Sequence, residues 1–301
     1  PDYLDDIVGK LIDCLYSLKT PTNKNILFNG TSEFKINEYL EYLSGLEYKS
    51  NNIVDKINQI YISRGKKNLF FFDVGSPPEK KYSKDYQSGP LSFEYFIDDN
   101  KIITNCGFGN KISKKAELIS RLTSAHSTLC LNESSAVRFE KNSLINDVFG
   151  TSITTSFKVS GLNIDDGKNY LTIAAKHNAY EDNFNYNHER IIKIDKTNSD
   201  LIGEDNLIAI KENKKLQNMY SIRFHLYPGI AAVQTMGKNS ILIQIEKKKS
   251  LIFTSSADDL ILEKSIFFGG NQIINNFCIT ISGTLNNSEN KNITWQLKRN
   301  N

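Results

Sequence analysis

The chain has 301 residues, of which 39% are hydrophobic and 24% charged, and its 37 basic and 34 acidic side chains leave a net charge of +3. That composition is ordinary for a globular chain and leaves room for one large all-β domain or two smaller ones. The charge balance is too even to argue for a nucleic-acid partner, and no apolar run approaches the roughly 20 residues a membrane-spanning helix requires. The sequence opens at Pro1 without a charged-then-apolar leader, so a signal peptide is expected to be absent, removed or outside it. Cys14, Cys106, Cys130 and Cys278 lie far apart with no Cys-x-x-Cys. This disfavours a zinc knuckle or a thioredoxin motif, and it leaves disulfides and compartment open.

In chain order, residues 3–18 place Leu4, Ile7, Val8, Leu11, Ile12 and Leu15 at helical spacing, with Asp5, Asp6, Lys10 and Asp13 opposite. A second amphipathic run carries Ile36, Tyr39, Leu40, Leu43 and Leu46. Two such helices cannot bury their faces on each other alone, so they read as the last pair of a larger array or as a cover over the rest of the chain. Near residue 55 the period changes. Residues 57–63 and 68–74 read as a hairpin, with a helix over 53–61 as the competing reading. Strand-length runs come next at 91–96, 101–104, 121–131, 171–175, 191–194, 220–226, 241–245, 277–281 and 294–297, separated by Gly, Asn and Asp turns. Many strands without alternating helices predict a mainly β chain: a large antiparallel β-sandwich over 53–301, preceded by a short helical segment over 1–52. The stretches 76–90 and 107–118 read as loops with freedom to move. Lys247-Lys248-Lys249 reads as a solvated hairpin tip, and Asp165-Asp166 and Asp258-Asp259 as turn residues.

Four histidines carry most of the chemical potential. In an unbroken strand His126 shares a parity with Leu122 and Cys130, and His177 with Leu171, Ile173 and Ala175. His188 shares one with Phe184, Tyr186, Arg190 and Ile192, while His225 joins Arg223 and Tyr227 on the face opposite Ile222, Phe224 and Leu226. A His and an Arg among inward aromatics are expensive to bury unpaired, which favours a wet cleft over dry core. Together, guanidiniums, imidazoles and phenols suit an acidic sugar: cations neutralise a carboxylate, and an imidazole or phenol moves a proton. The alternative is a core and surface that simply contain four histidines. Gly-x-Ser-x-Gly, a phosphate loop and Gly-x-Gly-x-x-Gly are absent from the sequence.

Several blocks in order then resemble one family. Leu91-Ser92-Phe93-Glu94, Asn105-Cys106-Gly107, Ala125-His126-Ser127-Thr128-Leu129, His177 with Tyr180, His188-Glu189-Arg190, Gly203-Glu204-Asp205, Arg223-Phe224-His225-Leu226-Tyr227-Pro228-Gly229 and Trp295-Gln296-Leu297 are similar to the carboxy-terminal β-sandwich of heparinase II/III-like proteins. The likeness spans about residues 57–299, and the first 50 resemble the last helices of that family's α-helical toroid. It implies a polysaccharide lyase that cleaves heparin-, heparan- or alginate-like uronic-acid glycans by β-elimination in a bacterial cell envelope or periplasm, with the cytoplasm as the alternative. A Tyr or His takes the C5 proton, and the partner of this chain would be the missing toroid. On this reading His126, His177, Tyr180 and His188 are the catalytic candidates, and Arg190, Arg223, His225 and Tyr227 the substrate-binding ones.

The resemblance also implies a His-x-His-x-Asp motif and a zinc ion, and here the sequence departs from it. Those motif positions read Asp85, Gln87 and Gly89, a further ligand position reads Asn105, and only His126 remains. One imidazole with two carboxamides is a poor zinc set, so no metal or other cofactor is expected. A non-catalytic carbohydrate-binding or scaffolding module, or an unrelated sandwich with structural histidines, are the competing readings.

Overall fold

A computed structural model describes residues 2–50, 52–142, 144, 146, 150–210, 217–246, 249–286 and 289–300. Helices α1 (Asp2–Tyr16) and α2 (Ile36–Gly45) form where the apolar spacing places them. Between them an extended segment lies on the sandwich: Ile26 and Phe28 pack with Ile62, Leu69, Phe71 and Phe96.

Strands β1 (Lys56–Ile57), β2 (Ile60–Arg64), β3 (Asn68–Asp73), β4 (Phe93–Ile97) and β5 (Asn100–Thr104) form an antiparallel meander. Helix α3 (Lys114–Ser120) and β6 (Leu129–Leu131) come after it. Next are β7 (Val159–Asp166), β8 (Tyr170–His177), helix α4 (Glu181–Phe184), β9 (Tyr186–Asp195) and β10 (Leu201–Ala209). The remainder is β11 (Asn218–Leu226), β12 (Ala231–Gln234), β13 (Ser240–Glu246), β14 (Lys249–Ser255), β15 (Asp259–Gly269), β16 (Gln272–Leu285) and β17 (Lys291–Asn300). Among the described residues the first sheet runs β1-β2-β3-β4-β5-β11-β16-β15 with β6 beside β11, and the second runs β12-β13-β14-β17-β10-β9-β8-β7.

The alternation of side chains decides what lies between the sheets. Phe70, Phe72, Phe93, Tyr95, Ile222, Phe224, Ile279 and Ile281 from the first layer meet Leu171, Ile173, Ile192, Ile194, Leu201, Leu207, Trp295 and Leu297 from the second. The indole of Trp295 stacks on Phe93 with ring centres 5.7 Å apart. It lies where a side chain on Gly203 would be, since a Cβ there would meet the indole Cζ2 at 2.0 Å.

Three local expectations are corrected. Residues 121–131 do not form one strand: Thr123–Ala125 is a 3-10 turn, and pairing begins only at Leu129. Arg121 is the reason, because its buried guanidinium donates to the carbonyls of Ser83, Tyr86 and Thr151 and fixes the chain in a bend. The stretches 76–90 and 107–118 are not free loops, for Ser83, Gln87 and Ser88 are buried and α3 occupies part of the second stretch. Asp165 and Asp166 end strand β7 and are not turn residues. The competing helix over 53–61 gives way to β1 and β2. Of the triple lysine, Lys249 opens β14, while Lys247 and Lys248 lie outside the described residues.

Candidate functional site

The inner face of the second sheet carries His177 on β8, His188 and Arg190 on β9, Asp205 on β10 and Trp295 on β17. The register sets His177 opposite His188 and Arg190 opposite Asp205. The result is one continuous network. His188 Nδ1 lies 3.0 Å from His177 Nε2, and His188 Nε2 lies 2.6 Å from Asp205 Oδ1. Arg190 donates through Nε to Asp205 Oδ1 at 2.7 Å, and Trp295 Nε1 donates to Asp205 Oδ2 at 2.8 Å. His177 Nδ1 accepts from the backbone of Ala179. The other half of the Arg190 fork crosses to the first layer and donates to the carbonyls of Leu91 and Ser127. Tyr180 does likewise, its hydroxyl donating to Leu129 O at 2.8 Å.

Burial and pairing set the charges. Burial alone would raise the Asp205 pKa, but the Arg190 charge and the hydrogen bonds of His188 and Arg190 outweigh it and hold the carboxyl well below the usual range. His177 and His188 are pushed down, first by burial, so both stay neutral. The cost of burying a His and an Arg unpaired, together with the family likeness, puts His177, Tyr180, His188 and Arg190 beside a groove. All four lie in the interior instead, with 1% exposure or less. Full pairing removes the objection to burying them.

Arg223 and His225 face the other way, on the outer side of the first sheet. With Cys106, Ser124, Glu263, Lys264, Ser265 and Cys278 they line a pocket of about 260 Å³. His225 Nε2 lies 3.0 Å from Ser124 O, which makes Nε2 the protonated nitrogen. Nδ1 is then the acceptor, 3.3 Å from Cys106 Sγ and 3.2 Å from Ser265 Oγ. Burial lowers the His225 pKa to about 4, and burial raises the Cys106 thiol far above its usual value, so both groups are neutral. Arg223 pairs with the exposed carboxylate of Glu133 at 2.7 Å. A larger depression of about 830 Å³ is lined by Leu118, Leu122, Val137, Phe139, Arg138 and Lys141 among others, and Ile119 lines both hollows. Tyr227 belongs to neither. Its hydroxyl donates to Glu33 Oε1 at 2.6 Å, fastening the segment between α1 and α2.

His126, at the end of the 3-10 turn, packs on Gly89 so closely that a Cβ there would lie 2.7 Å from its Cγ. Its pKa is pushed down to about 3, first by burial and then by His225. The metal-ligand positions implied by the family resemblance do not fit zinc. Gln87 Oε1 accepts from Gly30 N, and its Nε2 donates to Gly107 O and Ser120 O. Asn105 Oδ1 accepts from Ser127 N, and its Nδ2 donates to Leu27 O. His126 Nε2 has no partner, but it is one nitrogen donor beside two committed carboxamides, and a structural zinc takes four ligands. Among the described residues no three His, Cys, Asp or Glu side chains form a metal-binding group.

Sequence reasoning missed two elements of this layout. Asp205 shares the apolar parity of Leu201, Gly203 and Leu207, and an acid on a buried face was the available sign of a partner for Arg190. Glu94 and Lys101, both fully buried, form an ion pair at 2.8 Å beneath the extended segment, with Lys101 Nζ also donating to Asn25 O. A lone acid inside the run Phe93–Ile97 was the signal there.

Two antiparallel layers with this strand order form a sandwich of the kind seen at the carboxy-terminal end of larger proteins. The sequence profile described as heparinase II/III-like, C-terminal, matches residues 54–296, and the chain belongs to that family. A comparison with curated protein sequences finds no match. Among solved structures, heparan sulfate lyase HepC from Pedobacter heparinus superposes with a TM-score of 0.76 at 15% identity, over 99% of this chain and 47% of that one. A heparinase III gene product gives 0.73 at 12% identity, over 100% and 47%. The chain therefore spans about half the length of these lyases, and identities this low establish the fold. No helix among the described residues is long and apolar enough to cross a membrane.

Proposed function

We propose that this chain is the glycan-facing sandwich of a protein acting on acidic, uronic-acid-containing polysaccharides in a bacterial cell envelope. The observation that carries the proposal is the pair of hollows that share Ile119 in their walls, with Arg138, Glu140 and Lys141 on one and Arg223, Glu263 and Lys264 on the other. Each hollow thus has two cations against one carboxylate, with apolar side chains such as Leu118, Ile119 and Leu122 beside them, which suits a polyanion. β-Elimination takes the C5 proton, opens the bond to the 4-linked oxygen and leaves a C4–C5 double bond. Nothing in the interior network reaches a substrate, so in this reading the proton-moving groups belong to the remainder of a longer protein. His126, His177 and His188 are absent from the walls of both hollows.

The second reading, a glycan-binding module without catalysis, is favoured by one fact: all four imidazoles are at most 3% exposed. Both readings are tested with the 301-residue chain and the intact protein on heparan sulfate, alginate, chondroitin and hyaluronan. The expected result is salt-sensitive binding by the chain, weakened by Lys141→Glu with Lys264→Glu, and an ultraviolet-absorbing unsaturated product from the intact protein alone. Product from the chain itself would overturn the assignment of the base elsewhere. Binding indifferent to salt and to both charge reversals would remove the hollows from consideration, and binding without product from the intact protein selects the second reading.

A further inference from the structure

We infer that Gln87 and Asn105 form a carboxamide staple that holds this corner of the sandwich without a metal ion. The inference rests on family membership and on side-chain geometry; it is independent of the glycan reading and fails separately from it.

Both residues are almost wholly buried. Gln87 joins the turn before α2, through Gly30 N at 2.9 Å, to Gly107 O at 2.9 Å and to Ser120 O at 2.8 Å at the end of α3. Asn105 joins Leu27 O at 3.2 Å to Ser127 N at 3.0 Å. Five hydrogen bonds from two side chains thereby tie the extended segment, the strand end after β5, the end of α3 and the stretch beyond it. A bound ion would cross-link the same segments through its ligands.

The two arrangements compete. Gln87 Oε1 already accepts from the part-buried Gly30 amide, and Nε2 is committed to Gly107 O and Ser120 O, so the carboxamide is held in place by both ends. All that Oε1 could still offer a cation is the second lone pair of a neutral amide oxygen, whereas zinc prefers thiolate, imidazole and carboxylate. Asn105 is held in the same way, and its own backbone N–H donates to Glu94 Oε1, so its position is fixed from both ends. The imidazole of His126 is packed against Gly89, and its Nε2 has no hydrogen-bond partner. Nearby Cys106 makes no alternative set, since its sulfur is turned to His225.

The test is metal content and thermal stability of the purified chain, neither of which depends on activity. The wild type is expected to contain less than about a tenth of an equivalent of zinc, with a Tm unmoved by a chelator or by added zinc. Gln87→Ala is expected to lower Tm by several degrees whether zinc is present or not. Gln87→His with Asn105→Asp, which places imidazole and carboxylate beside His126, is expected to acquire a Tm that rises with added zinc. Stoichiometric zinc in the wild type, with a Tm that falls when a chelator strips it, would overturn the inference. So would a Gln87→Ala variant as stable as the wild type, or a double variant that folds and ignores zinc.

Discussion

Two faces of the sandwich carry the same kinds of residue to opposite ends. On the inner face of the second sheet, two imidazoles, a guanidinium, a carboxylate and an indole bond to one another and to backbone groups of Leu91, Ser127 and Ala179, and they are sealed from water. On the outer face of the first sheet, His225 and Arg223 stand on a pocket wall, and Arg223 pairs with a carboxylate that is mostly in solvent. Residue type does not separate the two groups. What separates them is what each is tied to: the inner group reaches across to backbone carbonyls of the other layer, and the outer group lines a hollow and pairs with groups of its own layer and of the turn beside it.

The sharpest way to break this contrast is Asp205→Asn. Its amide would set an N–H against donors already aimed at that position by Arg190, His188 and Trp295. Removing one member of a buried ion pair is expected to lower unfolding free energy by about 3–5 kcal/mol, measured by urea denaturation, and a loss below about 1 kcal/mol would show that the network is dispensable.

Acidification separates the faces by titration. His177 and His188 have folded pKa values below the ordinary 6.5, and His126 and His225 are lowered to about 3 and about 4. The unfolded chain therefore takes up these protons first, so stability is complete above about pH 6.5 and declines as pH falls toward about 4. Asp73 opposes the trend: burial raises it to about 7, so the folded chain holds that proton where the unfolded chain has lost it. Four imidazoles outweigh one carboxyl. The expected slope is on the order of 1 kcal/mol per pH unit for each imidazole still charged only in the unfolded state. Stability flat from about pH 7 to about pH 5 would contradict the neutral, buried assignment.

The smallest expected effect is that of Arg223→Ala, which loses an ion pair whose acidic member is 61% exposed in its side chain. Less than about 1 kcal/mol is expected from so screened a pair, together with weaker glycan binding. A stability loss as large as that of Asp205→Asn would erase the distinction between the faces.

The two helices, the 68–73 strand and most of the later strands were legible because their apolar periods are regular. Phase failed between 121 and 131, where one buried arginine seeking three carbonyls overrides alternation. For His177 and His188 the inward parity was correct, and what the sequence hid was their partner: Asp205 is distant in sequence from His177, and its hydrogen bonds exist only once β9 and β10 are paired. The pocket around His225 was half visible. Its position opposite Phe224 could be counted, whereas the approach of Cys106 and Ser265 depends on tertiary packing.

Trp295 is the single tryptophan of the chain. Its ring is parallel to Phe93, and its N–H is anchored to the carboxylate that also binds Arg190 and His188. Its fluorescence is therefore a native gauge of the seam between the two layers, free of competing indoles. Separation of the sheets would redden the emission, and loosening confined to α1 or α2 would leave it unchanged.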